Sequence, residues 1–197
     1  AMKETLHAYL TETGDPGELA FKLHDFGFRG VSSVEAAGTG GAGHLVNFNG
    51  TDNLAAITLI QRFYDHPGMP AFSIPATEHS TVTAWGPEGE ADAYANLLGV
   101  YPTGLVSCVS DSYDLFRACE EIWGTQLRDA ILARDGTLVV RPDSGDPPTV
   151  VVQVLEVLGR RFGTSTNARG YRLLDPHVRV IQGDGIDREM LGTILEA

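Results

Sequence analysis

Leu105-Val106-Ser107-Cys108-Val109-Ser110-Asp111-Ser112-Tyr113-Asp114 is a short apolar run closed by a polar cluster, and the helix-like stretch Tyr113–Trp123 follows directly. Leu105–Val109 shows no strict alternation of polar and apolar residues, which predicts a strand covered on both faces, as in a parallel sheet. The same unit of strand, polar cluster and helix recurs outward in both directions. Leu19–Leu23, His44–Phe48, Ala71–Ile74, Thr137–Val140 and Val178–Ile181 are predicted as further strands. Asn53–Phe63, Glu88–Leu98, Val150–Leu158 and Asp187–Leu195 carry helical patterns, with Asp187 as an N-cap and Pro147-Pro148 opening the helix before Leu158. Such alternation specifies an α/β fold with a parallel sheet. A barrel and an open doubly wound sheet both satisfy it. In a barrel, the C-terminal ends of all strands share one face, so polar clusters distant in sequence would surround a single ligand.

With 197 residues, 43% of them hydrophobic, the chain can bury a sizeable core. No apolar run is long enough to span a bilayer, and no secretory leader opens the chain. These features predict a cytoplasmic protein with no membrane partner. The net charge of −12 argues against a nucleic-acid surface. It leaves room for phosphate ligands, which need only local Arg, backbone N–H groups or a metal. Cys108 and Cys119 read as buried free thiols of a reducing compartment. Ala1-Met2 reads as a tag remnant.

Asp111, Asp143 and Asp184 each follow an apolar run. A single Asp there is ordinarily a helix cap or turn former. Three at equivalent positions point to convergent carboxylates suited to sugar hydroxyls or to Mg²⁺. Arg141, beside Asp143, suits either a structural ion pair or an anion clamp, and Arg29 sits similarly after Phe26 and Phe28. One of these rings suits stacking on a flat heterocycle, although a core ring is the default. Gly183 and Gly185 flank Asp184, which lets backbone approach a phosphate closely. His79, beside Glu78 and ahead of Ser80-Thr81, is the sharpest single candidate, as a base or as a nucleophile toward a phosphoryl group. His24, next to Asp25, is an intermediate one. Gly38-Thr39-Gly40-Gly41-Ala42-Gly43 lacks the Lys-Ser/Thr of a phosphate loop and is expected to be a turn between helix and strand, or a close packing contact. Phe162–Arg172 is expected to be a surface loop or small hairpin. No Cys or His spacing matches a zinc site.

Six motifs in order carry a family resemblance: Lys22-Leu23-His24-Asp25-Phe26-Gly27-Phe28-Arg29-Gly30-Val31-Ser32-Ser33, His44-Leu45-Val46-Asn47-Phe48-Asn49-Gly50-Thr51-Asp52, Glu78-His79-Ser80-Thr81-Val82-Thr83-Ala84-Trp85-Gly86, Val109-Ser110-Asp111-Ser112-Tyr113-Asp114, Arg141-Pro142-Asp143-Ser144-Gly145 and Val180-Ile181-Gln182-Gly183-Asp184-Gly185. From about Leu6 onward the chain resembles the nicotinamide phosphoribosyltransferases, of the nicotinate/nicotinamide phosphoribosyltransferase family. The resemblance implies an incomplete parallel (β/α) barrel of the type II phosphoribosyltransferase kind, truncated here at both ends, with residues 1–197 forming one barrel-core domain. It implies a pentosyltransferase of NAD biosynthesis that moves 5-phosphoribosyl from phosphoribosyl pyrophosphate to nicotinamide, giving nicotinamide mononucleotide and pyrophosphate. Mg²⁺ as cofactor, ATP as coupling substrate and a homodimer or larger self-association come with it.

By motif, Phe26 would stack on the pyridine, Asp52 would accept from the carboxamide NH₂, and Arg29 and Arg141 would line the pocket. Asp143 with Gly183 and Asp184 would hold the ribose and its phosphate. Asp111, with Asp143, would assist Mg²⁺ and pyrophosphate. His79 would be phosphorylated by ATP. Two competing readings stand beside this one: a nicotinate phosphoribosyltransferase, which a carboxylate at Asp52 disfavours by repulsion, and a non-catalytic core that only folds or dimerises.

Overall fold

Residue-by-residue pairing of two seven-residue strands sets the geometry of the site. β3 (Thr103–Val109) and β4 (Asp135–Arg141) run parallel, with Cys108 opposite Val140 and Val109 opposite Arg141. β7 (Val178–Val180) adds in parallel on the far side of β4, with Val140 opposite Val180. On the free side of β3, Pro75–Thr77 runs alongside: the Ser107 N–H donates to the Pro75 carbonyl (2.8 Å) and the Thr77 N–H to the Ser107 carbonyl (3.1 Å). This register places Asp111, two residues past Val109, level with Asp143, two past Arg141. It likewise places Gly183 level with Asp143.

The structure is a computed structural model that describes residues 1–197. It is a mixed α/β structure with parallel sheets. The sequence reading takes residues 1–197 as one domain; within that span the residues group into two compact units, Ala1–Ser73 and Ile74–Ala197.

The first unit holds α1 (Met2–Thr13), a 3₁₀ turn Pro16–Phe21, β1 (His24–Asp25), a 3₁₀ turn Gly27–Gly30, α2 (Val34–Leu45), β2 (Gly50–Thr51) and α3 (Leu54–Phe63). β1 and β2 pair in parallel, and Phe72 bridges to Gly50. Three expectations are corrected here. Leu19–Leu23 is not a strand: Asp15 caps a 3₁₀ turn, Pro16–Phe21, whose first residue has its φ preset by the proline ring, and the turn takes up the start of the apolar run. His44–Phe48 is not a strand: α2 runs to Leu45, and extended structure begins only at Gly50. Ala71–Ile74 forms only the single bridge at Phe72. Of the two expectations for the glycine stretch Gly38–Gly43, the close packing contact holds: the stretch lies inside α2. Glycine lets α2 approach α3, because a Cβ on Gly41 would sit 2.6 Å from Ala56 Cβ.

The second unit contains α4 (His79–Thr83), α5 (Glu90–Val100), β3, α6 (Leu115–Arg117), a π-helical segment Ala118–Gln126, α7 (Arg128–Leu132), β4, α8 (Pro147–Phe162), the antiparallel hairpin β5 (Thr164–Thr166) and β6 (Arg172–Leu174), β7, and α9 (Arg188–Glu196). The strands, helices and hairpin expected in this half are present. α8 opens on Pro147-Pro148 under an Asp146 cap, and Asp187 caps α9 through the Met190 N–H. Val106, Cys108, Leu138, Val140 and Val178 of the sheet pack with Ile122, Trp123, Val154, Leu158 and Phe162 into one buried core. Burying each such side chain contributes about 1.5–3 kcal/mol. Both cysteines are buried and free. No helix is long and apolar enough to cross a membrane.

Candidate active site

The C-terminal mouth of the second unit's sheet gathers five of the residues singled out from sequence. His79 opens α4 just past the Pro75–Thr77 segment. Its Nε2 lies 3.0 Å from Asp111 Oδ1 and its Nδ1 4.0 Å from Asp143 Oδ2. The other Asp111 oxygen accepts the Asp143 N–H (3.1 Å) and the Ser144 hydroxyl (2.5 Å). Arg141, only 7% exposed at its side chain, sets Nη2 3.5 Å from Asp143 Oδ2 and 3.9 Å from Glu78 Oε2. The Gly183 N–H donates to the Pro142 carbonyl (2.9 Å). A Cβ on Gly183 would fall 2.0 Å from Asp143 Oδ1 and 3.1 Å from Arg141 Cδ, so the tight approach of β7's end to β4's end requires glycine. Asp184 lies one residue further on, exposed, where Gly185 turns the chain at φ +74°.

In the tautomer with the proton on Nε2, that N–H donates to Asp111 Oδ1 and Nδ1 carries the lone pair. A lone pair held in this way is available to a phosphorus atom or a proton. Ser144 is the residue that sequence reasoning missed; a hydroxyl directly after a strand-end Asp was the available signal.

Beneath the mouth, a buried polar network holds β3 in place. Trp123 Nε1–H donates to Ser110 Oγ (3.1 Å), which donates to the Cys108 carbonyl (3.0 Å). Tyr94 stacks on Trp123 with ring centroids 4.2 Å apart and donates to Glu90 Oε1 (3.0 Å), and Arg117 holds Oε2 at 3.1 Å. Burial pushes the Glu90 carboxyl above its ordinary range despite the Tyr94 hydroxyl and the Arg117 guanidinium. Burial likewise pushes the Cys108 thiol up to about 12, which removes it from nucleophilic chemistry.

Asp111 and Asp143 present the hard carboxylate oxygens that suit Mg²⁺. The chain holds no ready-made cage of three or more metal-ligating side chains. Two adjacent carboxylates fit the habit of Mg²⁺, which takes one or two of them and fills its shell with waters and substrate phosphates. Asp143 fits the role of direct ligand better, since both Asp111 oxygens already accept from the protein.

The first unit carries the other three candidates. Phe26, half-buried, packs against His24 with centroids 4.6 Å apart. Asp52, exposed, accepts the Ser73 hydroxyl and faces His24. Arg29 is exposed at the end of the 3₁₀ turn Gly27–Gly30. Asp25 braces this loop by accepting from the Gly27 N–H (2.8 Å), Asn53 Nδ2 (3.0 Å) and Thr51 Oγ1 (3.3 Å).

The family model for the nicotinate phosphoribosyltransferase (NAPRTase) family matches residues 21–197. The chain belongs to the nicotinate phosphoribosyltransferase family. Among relatives, it is 53% identical to a nicotinamide phosphoribosyltransferase of Xanthomonas campestris, over 99% of this chain and 42% of that protein. It is 35% identical to one of Mycoplasma pneumoniae, over 100% of this chain and 44% of that protein, and 34% identical to one of Acinetobacter baylyi, over 98% and 42%. The chain thus spans under half the length of these curated relatives. The match of the family model covers both the Phe26–Asp52 segment and the strand mouth.

Proposed function

We propose that this chain is the core of a nicotinamide phosphoribosyltransferase of NAD biosynthesis. It would join nicotinamide to the 5-phosphoribosyl group of phosphoribosyl pyrophosphate and release pyrophosphate. The observation that carries this reading is the strand mouth itself, where His79, Asp111, Arg141 and Asp143 stand within hydrogen-bond or ion-pair reach of one another. The relatives, nicotinamide phosphoribosyltransferases by name, supply the choice of base. Further elements of the reading are an incomplete parallel barrel, a homodimer or larger self-association, and a cytoplasmic site of action. The outer edge of β7, at the end of the β3-β4-β7 order, supports the self-association, since a strand edge invites pairing.

In this reading, Asp143 and the Gly183-Asp184 turn hold the ribose and its phosphate, and Arg141 and Arg29 are pocket-lining residues. The carboxylates stabilise the positive charge that develops on the ribose ring as the bond to pyrophosphate breaks. Mg²⁺, when bound, supplies charge neutralisation of the pyrophosphate, held by Asp143 with Asp111 beside it. His79 Nδ1 accepts the γ-phosphoryl group of ATP, and ADP leaves; Asp111 retains the Nε2 proton and offsets the charge of the ring. Phe26 stacks on the pyridine and Asp52 accepts from the carboxamide NH₂. A nicotinate carboxylate at the same place would face Asp52 as a like charge, which favours the amide over the acid.

Replacing Asp52 with Ser tests the assignment of the base. In the complete gene product, D52S lowers kcat/KM for nicotinamide and relaxes discrimination against nicotinate. An unchanged ratio refutes the role of Asp52.

A further inference from the structure

The pairing of β1 with β2 sets His24 beside Gly50, and a Cβ on Gly50 would fall 2.6 Å from His24 Nδ1, so backbone closes tightly on that edge of the imidazole. The other nitrogen, Nε2, points at Asp52, 3.2 Å from Oδ1, and the side chain is only 16% exposed. Nε2 is buried and finds no well-aligned hydrogen-bond acceptor, its approach to Asp52 being off the ideal line. Ser73 donates to the same Asp52 oxygen. The imidazole also tilts at 35° against Phe26. One ring therefore touches both residues that the nicotinamide reading assigns to the base. The 3.2 Å approach of Nε2 to Oδ1 ties the ring to the carboxylate by close polar contact and not by an aligned hydrogen bond.

We infer that His24 is a positioning residue for base discrimination. Its Nε2, in close polar contact with Oδ1 of Asp52, acts with the Ser73 hydroxyl to restrict the rotamer of the carboxylate that faces the base. The inference rests on the reading of Asp52 given above. Without His24 the carboxylate keeps the Ser73 hydroxyl but loses the imidazole contact, and turns more readily. It then accepts less well from an amide and repels an acid less, so discrimination falls from both directions.

The test compares kcat/KM for nicotinamide and for nicotinate in the complete gene product. H24F keeps an aromatic ring against Phe26 and removes the nitrogen; the nicotinamide-to-nicotinate ratio falls by roughly two- to tenfold, the range of one ordinary polar contact. H24Q restores a donor and recovers most of the ratio. In the double variant H24F/D52S the ratio is no lower than in D52S alone, because both changes act through one carboxylate. A loss equal for both substrates in H24F makes His24 merely structural and overturns the inference. A ratio that responds to D52S but not to either His24 variant also overturns it, while leaving the role of Asp52 intact. A ratio unmoved by D52S fails the underlying reading instead. A second measurement needs no His24 variant: the imidazole nitrogen resonances of His24 shift between wild type and D52S, and unchanged resonances overturn the coupling.

Discussion

His79 Nε2 stands 3.0 Å from Asp111 Oδ1, and the second Asp111 oxygen is held by the backbone and the hydroxyl that follow the neighbouring strand. Asp111 therefore joins three segments: the start of α4, the end of β3 and the loop after β4. Its position makes it the orienting partner of His79.

His79→Ala is expected to abolish ATP hydrolysis and to leave slow, ATP-independent mononucleotide synthesis, since cleavage at the ribose needs no imidazole nucleophile. Asp111→Asn lowers ATP hydrolysis by roughly a hundredfold or more through loss of the fixed tautomer. A phosphate-release assay run beside a mononucleotide assay checks both. Loss of transfer with intact ATP hydrolysis would reverse the assigned roles.

Gly183→Ala places a methyl group into Asp143 Oδ1. The side chain of Asp143 or the end of β7 must move, at about 1–3 kcal/mol of stability. The expected outcome is a folded protein whose KM for phosphoribosyl pyrophosphate rises strongly. A KM equal to that of the wild type would show that the Asp143–Gly183 contact has no part in binding.

The second half of the chain was legible in the sequence, and the first half largely was not. β3, β4 and β7 are short, apolar on both faces and bounded by polar clusters, so period and length agree. Their in-register pairing then brings Asp111, Asp143 and Gly183 together, as equivalent positions imply. In the first half, the glycine stretch fitted two readings, a turn or a close packing contact, and α2 uses Gly38 and Gly41 for the second, pressing against α3 where helix packing outweighs propensity. The strands there are two residues long, too short to leave a period. His24 sat next to Asp25 in sequence, but its partner across the fold is Asp52, and nothing local announces that pairing.

Both cysteines report on the buried core. Burial pushes the thiols of Cys108 and Cys119 from 9.0 up to about 12. Thiols raised in the folded state bind protons that the unfolded chain has lost, so stability falls as pH rises from about 9 toward 12. Denaturant midpoints measured across that range should decline, and the decline should be smaller in Cys108→Ala/Cys119→Ala. At pH 8 a thiol reagent should label neither cysteine in the native protein and both in denaturant. Rapid native labelling would show that the core around β3 opens readily.

Trp123→Phe keeps the stack on Tyr94 and deletes the donor to Ser110 Oγ. One buried neutral hydrogen bond is lost, at about 1–3 kcal/mol because Ser110 stays buried. Thermal unfolding reads the loss directly. An unchanged midpoint would mean that Ser110 finds another partner and that the network beneath Asp111 is not held by Trp123.

The central claim concerns which base is joined to phosphoribose. The most direct measurement supplies the complete gene product with equal nicotinamide and nicotinate, phosphoribosyl pyrophosphate, ATP and Mg²⁺, and identifies the mononucleotide formed by mass spectrometry. The account predicts nicotinamide mononucleotide in large excess. Nicotinate mononucleotide as the main product, or no mononucleotide at all, would contradict it.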